Sequence, residues 1–324
     1  MHHATEKYPT PEVSVSLLVY NQRDVVGRAI ESILAQETTF PFEIVIGDDC
    51  SDDGTQEVLR AYQARYPDII QLILHPRRYR GEVAGRTNNM TNLAACRGRY
   101  TALLDGDDYW LGTDKLQSQY DILEQHPEVV LAYHDTEVRY LDAHDNVIRT
   151  TRSSAFRPGG ALPTGVYTTS AYYGERYVGA HKSGACFRTR CFEYFPDNFT
   201  EVVGGDHYLF LLIAEQGKIY YEHKVRSVYF KHSRGFTGNA TFTNIESQRR
   251  RLSDLTFYRS RFAFTRDTDS YRKAYAAMAF RIAKAAWSKR GSRALAVRMV
   301  FDSLTTDPKV IFGRLMGALS LAKK

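Results

Sequence analysis

Three carboxylates lie within four residues at the end of a short apolar run. The run 101–104 is typical of a buried strand, and Asp105, Asp107 and Asp108 follow it directly. Like charges at this spacing repel one another, so the arrangement is tolerable mainly where a divalent cation lies among them or where all three point into water. The motif alone therefore leaves two interpretations open, a metal site and a solvated acidic turn.

A second acidic pair follows another predicted strand. Segment 42–47 is apolar and β-branched, and Asp48 and Asp49 come directly after it. Strand and helix patterns alternate from residue 13 onward, which predicts a parallel sheet in an α/β domain. Because ligands bind at the carboxyl ends of the strands in such sheets, both acidic groups should meet in one crevice. Carboxylates without sulfur ligands favour Mg²⁺ or Mn²⁺, the ions used with diphosphates.

The elements that position these groups can be predicted from hydrophobic spacing. Strands are expected at 13–19, 42–47, 69–74, 101–104, within 129–150 and at 225–231, and helices at about 24–36, 55–65, 87–96, 113–124, 205–217, 245–264, 270–287, 293–303 and 309–321. Residues 151–182 show no regular pattern. Their Gly, Pro, Thr and Tyr content predicts a long loop that lies over an acceptor site.

Composition indicates a folded protein. Hydrophobic residues make up 43% of the chain and charged residues 25%, which excludes a disordered chain. No apolar run approaches the roughly 18 residues of a transmembrane helix, and residues 1–11 lack the apolar core of a signal peptide, so a cytoplasmic location is expected. Four cysteines are too few for a disulfide framework, so reduced thiols are expected. A zinc site built on Cys186, Cys191 and His181 would lack a fourth ligand.

The positive charge is concentrated at the end of the chain. The net charge is +6, yet residues 281–324 hold ten Lys and Arg against two Asp. Helical patterns in this segment mix apolar and basic residues, as in helices that lie on an anionic membrane surface. Packing on the first domain, or on a second copy of the chain in a homodimer, is the alternative. We therefore expect an α/β domain at 1–240 and a basic helical region at 241–324.

Three spaced motifs together resemble glycosyltransferase family 2. They are Val-Ser-Leu-Leu-Val-Tyr-Asn at 15–21, the run from Glu43 to Thr55 with its two aspartate pairs, and Leu-Leu-Asp-Gly-Asp-Asp-Tyr-Trp at 103–110. The likeness extends over roughly residues 12–235. It implies the GT-A fold, a Rossmann-like nucleotide-diphospho-sugar transferase domain with a mixed central sheet, followed here by the helical C-terminal region. It also implies sugar transfer from a nucleotide-sugar donor with inversion at the anomeric carbon.

The resemblance further implies roles for individual residues. The nucleotide-sugar donor is expected to contact Tyr20, Asn21, Asp48, Asp49, Arg86, Asp105 and Asp107. Asp105-Gly-Asp107 matches the DXD motif, and the expected ligands of a Mn²⁺ or Mg²⁺ cofactor are Asp107, Asp108 and His232. Diphosphate or acceptor contacts are expected from Arg234, Arg78 and His181. A carboxylate such as Asp49 can accept a hydrogen bond from the imide N–H of uracil or thymine, and a metal neutralises a departing diphosphate. Structural roles remain the alternative for Tyr20 and His232, as does a solvated loop for the arginines.

Asp206 begins a predicted helix at the place where the family usually shows Glu-Asp. The resemblance implies that Asp206 is the general base, which takes the proton of the acceptor hydroxyl during attack. Gly205 stands where the family has Glu, and this departure removes an acceptor or supporting contact rather than the base itself. Asp206 as a plain helix cap is the alternative, and both roles are compatible.

The expected function is an inverting, metal-dependent glycosyltransferase. UDP-sugar is the expected donor, and the expected acceptor is a glycan or a lipid-linked hydroxyl in bacterial surface polysaccharide synthesis, reached in the cytoplasm or at the inner face of its membrane. A catalytically idle nucleotide-sugar-binding protein is one alternative. A sugar nucleotidyltransferase is another, but it would carry a Gly-rich basic loop where residues 20–23 read Tyr-Asn-Gln-Arg. No nucleic-acid-binding module is recognisable.

Overall fold

The computed structural model describes residues 10–78, 85–156, 161–173, 181–195, 205–231, 245–262, 272, 275–280, 282–283 and 293–307. The chain separates into two compact units. The first comprises 1–168, 180–201 and 205–232, and the second comprises 169–179, 202–204 and 233–324. The functional division at residue 240 stays a prediction.

Ten strands and eight α-helices have defined bounds, in addition to the helical residues described at 272, 275–280 and 282–283. The strands are β1 (Val13–Val19), β2 (Phe42–Asp48), β3 (Ile70–Leu74), β4 (Tyr100–Asp105), β5 (Tyr109–Trp110), β6 (Val129–Leu141), β7 (Val147–Arg152), β8 (Gly165–Tyr167), β9 (Ala185–Arg188) and β10 (Lys218–Lys231). The helices are α1 (Val26–Leu34), α2 (Thr55–Arg65), α3 (Arg86–Ala95), α4 (Lys115–Gln125), α5 (Thr169–Tyr173), α6 (Gly205–Ala214), α7 (Ile245–Arg261) and α8 (Arg293–Thr306). No described helix combines the length and the apolar composition that crossing a bilayer requires.

All ten strands belong to one sheet, with the order β3-β2-β1-β4-β9-β6-β10-β5 and with β7 and β8 added beside β6 and β10. Strands β1 to β4 are mutually parallel, as predicted. Strand β9 pairs antiparallel with both β4 and β6, so the complete sheet is mixed. Strands β2 and β4 lie on opposite sides of β1, so the order in which strands are added to the sheet reverses at β1. Open α/β sheets bind ligands at such a point.

Helix α1 shows how the local pattern determines the packing. Its fully buried side chains recur at helical spacing and form one face, consisting of Val26, Ala29, Ile30 and Ile33. That face packs into the core that also contains the alternate residues of β1, Val13, Val15, Leu17 and Val19. Burying each of the larger side chains contributes roughly 1.5–3 kcal/mol. The core thus holds α1 and the end of β1 in a defined position.

Helix α3 is anchored on the sheet by asparagine side chains. The Nδ2 of Asn92 donates to the carbonyl oxygens of Leu17 (3.2 Å) and Val45 (2.9 Å), and the Nδ2 of Asn88 donates to the carbonyl of Gly47 (2.8 Å). Buried amides in such bonds are directional, so they define the position of the helix more tightly than apolar contacts alone. The first residue of α3 is therefore positioned at the carboxyl edge of the parallel strands.

Several predicted elements needed correction. Residues 151–182 contain a 3₁₀ turn, strand β8 and helix α5 where an irregular loop was expected. Strand β8 forms only by pairing with β10, a contact that the local pattern does not encode. Strand β10 begins at residue 218, not at the predicted residue 225. The prediction missed its first part because register shifts against β6 interrupt the alternation of apolar and polar residues. The predicted helix 309–321 lies outside the described residues, and 270–287 is described only at 272, 275–280 and 282–283, which are helical.

Candidate functional site

The ends of three adjacent strands bring the predicted site segments to one edge of the sheet. Val19 of β1 lies opposite Asp48 of β2, and Leu18 lies opposite Asp105 of β4. The Asp49 amide donates to the carbonyl of Val19 (3.0 Å), so the pairing continues beyond β2. We call this region the acidic edge, and its carboxylates are Asp48, Asp49, Asp105, Asp107 and Asp108.

Asp49 has a carboxylate oxygen without a described hydrogen-bond partner, and it lies near a guanidinium group that stacks on an aromatic ring. Its side chain is buried, and Oδ1 has no hydrogen-bond partner among the residues that the structure describes. Burial raises the pKa of Asp49, whereas the nearby Arg78 lowers it. The Arg78 guanidinium lies with Nε 4.0 Å from Asp49 Oδ2, stacks 3.5 Å from the ring centroid of Tyr20 and donates to the Tyr20 hydroxyl. This cluster combines a stacking surface with an unused acceptor, the two features that bind a heterocyclic base.

Asn21 and Asp48 are already engaged with the protein. The Nδ2 of Asn21 donates to Asp52 (2.9 Å), and the Asp52 amide donates back to its Oδ1 (3.0 Å). Asn21 adopts a left-handed conformation (φ 49°), which asparagine tolerates better than most residues. Asp48 accepts hydrogen bonds from the Ser51 amide and hydroxyl and from Gln56 Nε2 (2.7 Å). Both side chains hold the loop after β2, and their predicted donor contacts stay predictions.

Asp105 is paired with a buried lysine from the turn that follows His181. The Lys182 Nζ donates to Asp105 Oδ1 at 2.6 Å, and Lys182 is only 6% exposed. Burial lowers the pKa of Lys182, but the carboxylates of Asp105 and Asp206 raise it by more, so its pKa is raised overall. Asp206 also raises the pKa of Asp105, although burial raises it most. Asp206 therefore lies within electrostatic reach of the DXD segment, with a fixed cation beside both.

Asp108 points inward. It is buried, Ser183 Oγ donates to one oxygen, and the Phe230 amide lies 3.4 Å from the other. Burial and the charge of Asp107 raise the pKa of Asp108 well above its usual range. The side chain thus connects the loop after β4 to β10 and to the 3₁₀ turn at 182–184. Its role as a metal ligand stays a prediction.

His181 is a neutral, stacked imidazole. Its ring centroid lies 4.0 Å from that of Tyr229, and its Nδ1 accepts from the Ser183 amide at 3.3 Å. Burial lowers the pKa of His181 to about 4. Because Nδ1 accepts a hydrogen bond, the ring proton of the neutral form is on Nε2. The predicted contact of His181 with diphosphate or acceptor would therefore be made by an uncharged donor.

The metal prediction rests on Asp107. This residue is half-buried at the edge, and its backbone carbonyl accepts from Arg28 (3.3 Å). Among the described residues no three His, Cys, Asp or Glu side chains are grouped as a metal site would require. Mg²⁺ is usually held by one or two carboxylates together with substrate phosphates and water. Asp107 fits an ion that arrives with a diphosphate. The predicted His232 and Arg234 lie outside the described residues.

The start of α6 explains the glycine that departs from the family pattern. A Cβ added to Gly205 would lie 3.0 Å from Nε and 3.2 Å from Cζ of Arg86, which is only 7% exposed. The guanidinium of Arg86 therefore occupies the space that a side chain at position 205 would need. Asp206 follows in the first turn of α6 and is exposed, and a helix N-terminus favours a negative charge there.

The predicted residues thus form two neighbouring groups at the carboxyl edge. One contains Tyr20, Arg78 and Asp49 and is suited to bind a base. The other contains carboxylates with Lys182 and His181, where an anion can be neutralised and an exposed carboxylate can take a proton. The fold gives Lys182 and Ser183 their partners, because each pairs with a carboxylate more than 70 residues away in the chain.

Comparisons with known proteins agree on one family and one fold. Residues 14–172 match the family model described as glycosyl transferase family 2. A putative teichuronic acid biosynthesis glycosyltransferase of Bacillus subtilis is 35% identical over 114 residues, which are 35% of this chain and 42% of that protein. An uncharacterized protein of Mycobacterium tuberculosis is 37% identical over 130 residues, 40% of this chain and 36% of its own length. The chain thus spans less than half the length of these curated relatives.

Two groups of solved structures are similar over most of the chain. TarS 1–349 of S. aureus in complex with UDP-GlcNAc has a TM-score of 0.56 at 16% identity, with 91% of this chain and 81% of that chain covered. The mannosyltransferase PcManGT of Pyrobaculum calidifontis, in complex with GDP-Man and Mn²⁺, has a TM-score of 0.53 at 19% identity and covers 96% and 81%. At these identities the likeness establishes the fold, and it confirms the predicted GT-A class with a mixed sheet and C-terminal helices.

Proposed function

We propose, because the chain belongs to glycosyl transferase family 2, that it transfers a sugar from a nucleotide-sugar donor to a hydroxyl of a glycan or lipid-linked acceptor. Its family membership confirms the resemblance seen in the three motifs. The observation that carries the proposal is the convergence of Asp49, Asp105 and Asp206 on the carboxyl edge of one sheet. The similarity to a putative teichuronic acid biosynthesis glycosyltransferase supports a role in the synthesis of a bacterial surface polysaccharide.

The donor's base is proposed to bind at Asp49. The orphaned Oδ1 can accept the imide N–H of uracil or thymine, or the corresponding N–H of guanine. Adenine and cytosine carry no such group, so the site should discriminate against them. Tyr20 and Arg78 would stack with the ring. Among the accepted bases we propose uracil first, since a UDP-sugar is also present in one of the similar structures.

The diphosphate is proposed to bind between the basic side chains and Asp107. Lys182 already neutralises Asp105, so an incoming anion meets less repulsion than the carboxylates of the acidic edge would otherwise create. A Mn²⁺ or Mg²⁺ ion held by Asp107 together with the donor would neutralise charge on the leaving diphosphate. Arg86, buried at the start of α3, supplies a second fixed cation beside α6.

Transfer itself is proposed to proceed by single displacement with inversion. The acceptor oxygen forms a bond to the anomeric carbon while the bond from that carbon to the diphosphate oxygen breaks. The proton of the acceptor hydroxyl passes to a carboxylate oxygen of Asp206, which is exposed at the helix terminus and therefore accessible to an acceptor. The nucleoside diphosphate leaves with the electron pair.

The test is thermal unfolding of the purified chain with UDP, dTDP, GDP, CDP or ADP, each with and without Mn²⁺. Ligand binding to the native state raises the melting temperature. We expect a shift with UDP that Mn²⁺ enlarges, and none with CDP or ADP. Asp49→Asn should abolish the UDP shift, whereas Asp68→Asn, a matched change at an exposed turn, should leave it intact. No shift with any nucleotide, or equal shifts in both variants, would refute the donor site.

The role of Asp206 is tested separately by activity. Asp206→Asn should keep UDP binding but lose about 10²- to 10⁴-fold in turnover of the UDP-sugar, as expected for loss of a general base. Release of UDP from the donor, with water as the acceptor, provides a readout before the natural acceptor is identified. If wild type binds UDP-sugar but neither protein turns it over with any hydroxyl acceptor, the chain is the idle binding protein considered above.

A further inference from the structure

Helix α8 in the second unit carries an exposed apolar stripe. Val297, Val300, Phe301 and Leu304 are 62%, 36%, 65% and 37% exposed. Their spacing of three, four and seven residues places them on one face of the helix. They are four of the six large hydrophobic side chains that are exposed among the described residues. A continuous stripe of this kind differs from the scattered apolar residues that every surface has.

The opposite face of α8 is packed. Met299 and Ser303 are buried, and Ser303 Oγ donates to the carbonyl of Ala276 at 2.8 Å. The polar residues Arg298 and Thr305 lie beside the stripe and are exposed. The helix therefore has a buried side, a polar flank and an apolar outer side. The exposure of the stripe is consequently a property of a docked helix and not of an unpacked segment.

The dimensions of the stripe limit what can cover it. Residues 297–304 extend over roughly 10 Å of helix, whereas a stable dimer buries about 800 Å² on each partner, far more than four partly exposed side chains supply. A helix of 14 residues is about 21 Å long, shorter than the roughly 30 Å of a bilayer core. The stripe is suited to shallow insertion at a surface, in the manner of an interfacial helix.

The charge of the surrounding sequence indicates which surface. Residues 281–324 hold ten of the 43 Lys and Arg residues but only two of the 37 Asp and Glu, so the rest of the chain has a slight negative excess. A basic segment is attracted to anionic lipid, and neither this attraction nor a short apolar stripe is strong alone. We propose that α8 docks the chain on an anionic membrane, with Phe301 and its apolar neighbours inserted among the headgroups and the basic residues holding the helix there.

The experiment is co-sedimentation of the full chain with vesicles rich in phosphatidylglycerol and with vesicles of phosphatidylcholine alone, at low and high salt. The decisive variant is Phe301→Asp, because the side chain is exposed and its loss leaves the core intact. Thr305→Asp is the matched control, since it adds the same charge to the same helix at an exposed site outside the stripe. Unchanged thermal unfolding of both variants verifies the fold.

We expect binding of wild type to anionic vesicles at low salt, a loss of at least about tenfold in affinity for Phe301→Asp, and a clearly smaller loss for Thr305→Asp. Equal losses in the two variants would overturn insertion of the stripe. Failure of the wild type to bind anionic vesicles would refute the proposed membrane binding. A concentration-dependent dimer that Phe301→Asp disperses would assign the stripe to a second copy and refute the proposal. None of these readouts depends on sugar transfer.

Discussion

Replacing Gly205 with alanine should disturb Arg86 and through it the donor site. The new Cβ would lie 3.0 Å from Nε and 3.2 Å from Cζ of the guanidinium, closer than an ordinary contact. Because Arg86 is buried, it has little room to withdraw. Overpacking of this kind costs about 1–3 kcal/mol, and alanine recovers up to about 1 kcal/mol through its helix propensity. The net change in the free energy of unfolding should therefore lie between about zero and 3 kcal/mol, destabilising.

A double-mutant cycle separates the contact from the intrinsic effect of alanine. In an Arg86→Ala background the clash is absent, so Gly205→Ala should be neutral or stabilising by up to about 1 kcal/mol. The expected coupling between the two positions equals the overpacking cost, about 1–3 kcal/mol, and is measured by urea unfolding of the four proteins. Calorimetry with UDP should show a weaker affinity for Gly205→Ala, by about tenfold if the guanidinium contacts the donor.

The control for this cycle is Gly27→Ala in α1. Its Cβ would lie 3.3 Å from the hydroxyl of Tyr62 in α2, a comparable contact between two helices. It should show no coupling to Arg86→Ala, because distant sites are additive to within about 0.5 kcal/mol. If Gly205→Ala has the same effect with and without the arginine, the reasoning that Arg86 requires a glycine at position 205 is refuted.

Three further predictions concern buried charges. Burial lowers the pKa of Lys115 from 10.5 to about 7, so the unfolded chain binds more protons than the folded chain between these pH values, and the stability of the wild type rises with pH in this range. The variant Lys115→Met lacks this titration and should be more stable than the wild type at pH 7, by roughly 5 kcal/mol at most. Urea titrations should show this difference disappear near pH 10.5. Lys182→Met leaves the charge of Asp105 uncompensated and should cost about 3 kcal/mol of stability. Calorimetry should show at least about a tenfold loss of UDP affinity, part of which Lys182→Arg restores. Unchanged affinity would exclude the lysine from the site. Glu43→Gln replaces a buried carboxylate that accepts three hydrogen bonds from Arg97, and thermal unfolding should show a loss of stability of about 2 kcal/mol. A change in stability under about 0.5 kcal/mol would contradict this.

Local patterns predicted the elements that carry the site. Strand β1 and helix α1 were recognisable because apolar residues recur with the period of their own secondary structure. The acidic segments after β2 and β4 were recognisable because parallel strands must end at a common edge. By contrast, β8 and the first part of β10 were missed, since β8 forms only by pairing with β10 and the register shifts of β10 hide its alternation.

The sequence by itself determined the fold class, the family and the segments in which the candidate chemistry resides, because each of these is encoded in contiguous residues. Only the tertiary structure decided how those segments are used. It paired Asp105 with Lys182, 77 residues later, turned Asp108 toward Ser183, and filled the space at Gly205 with Arg86. Such pairings depend on strand order and helix placement, which bring residues together irrespective of their separation along the chain.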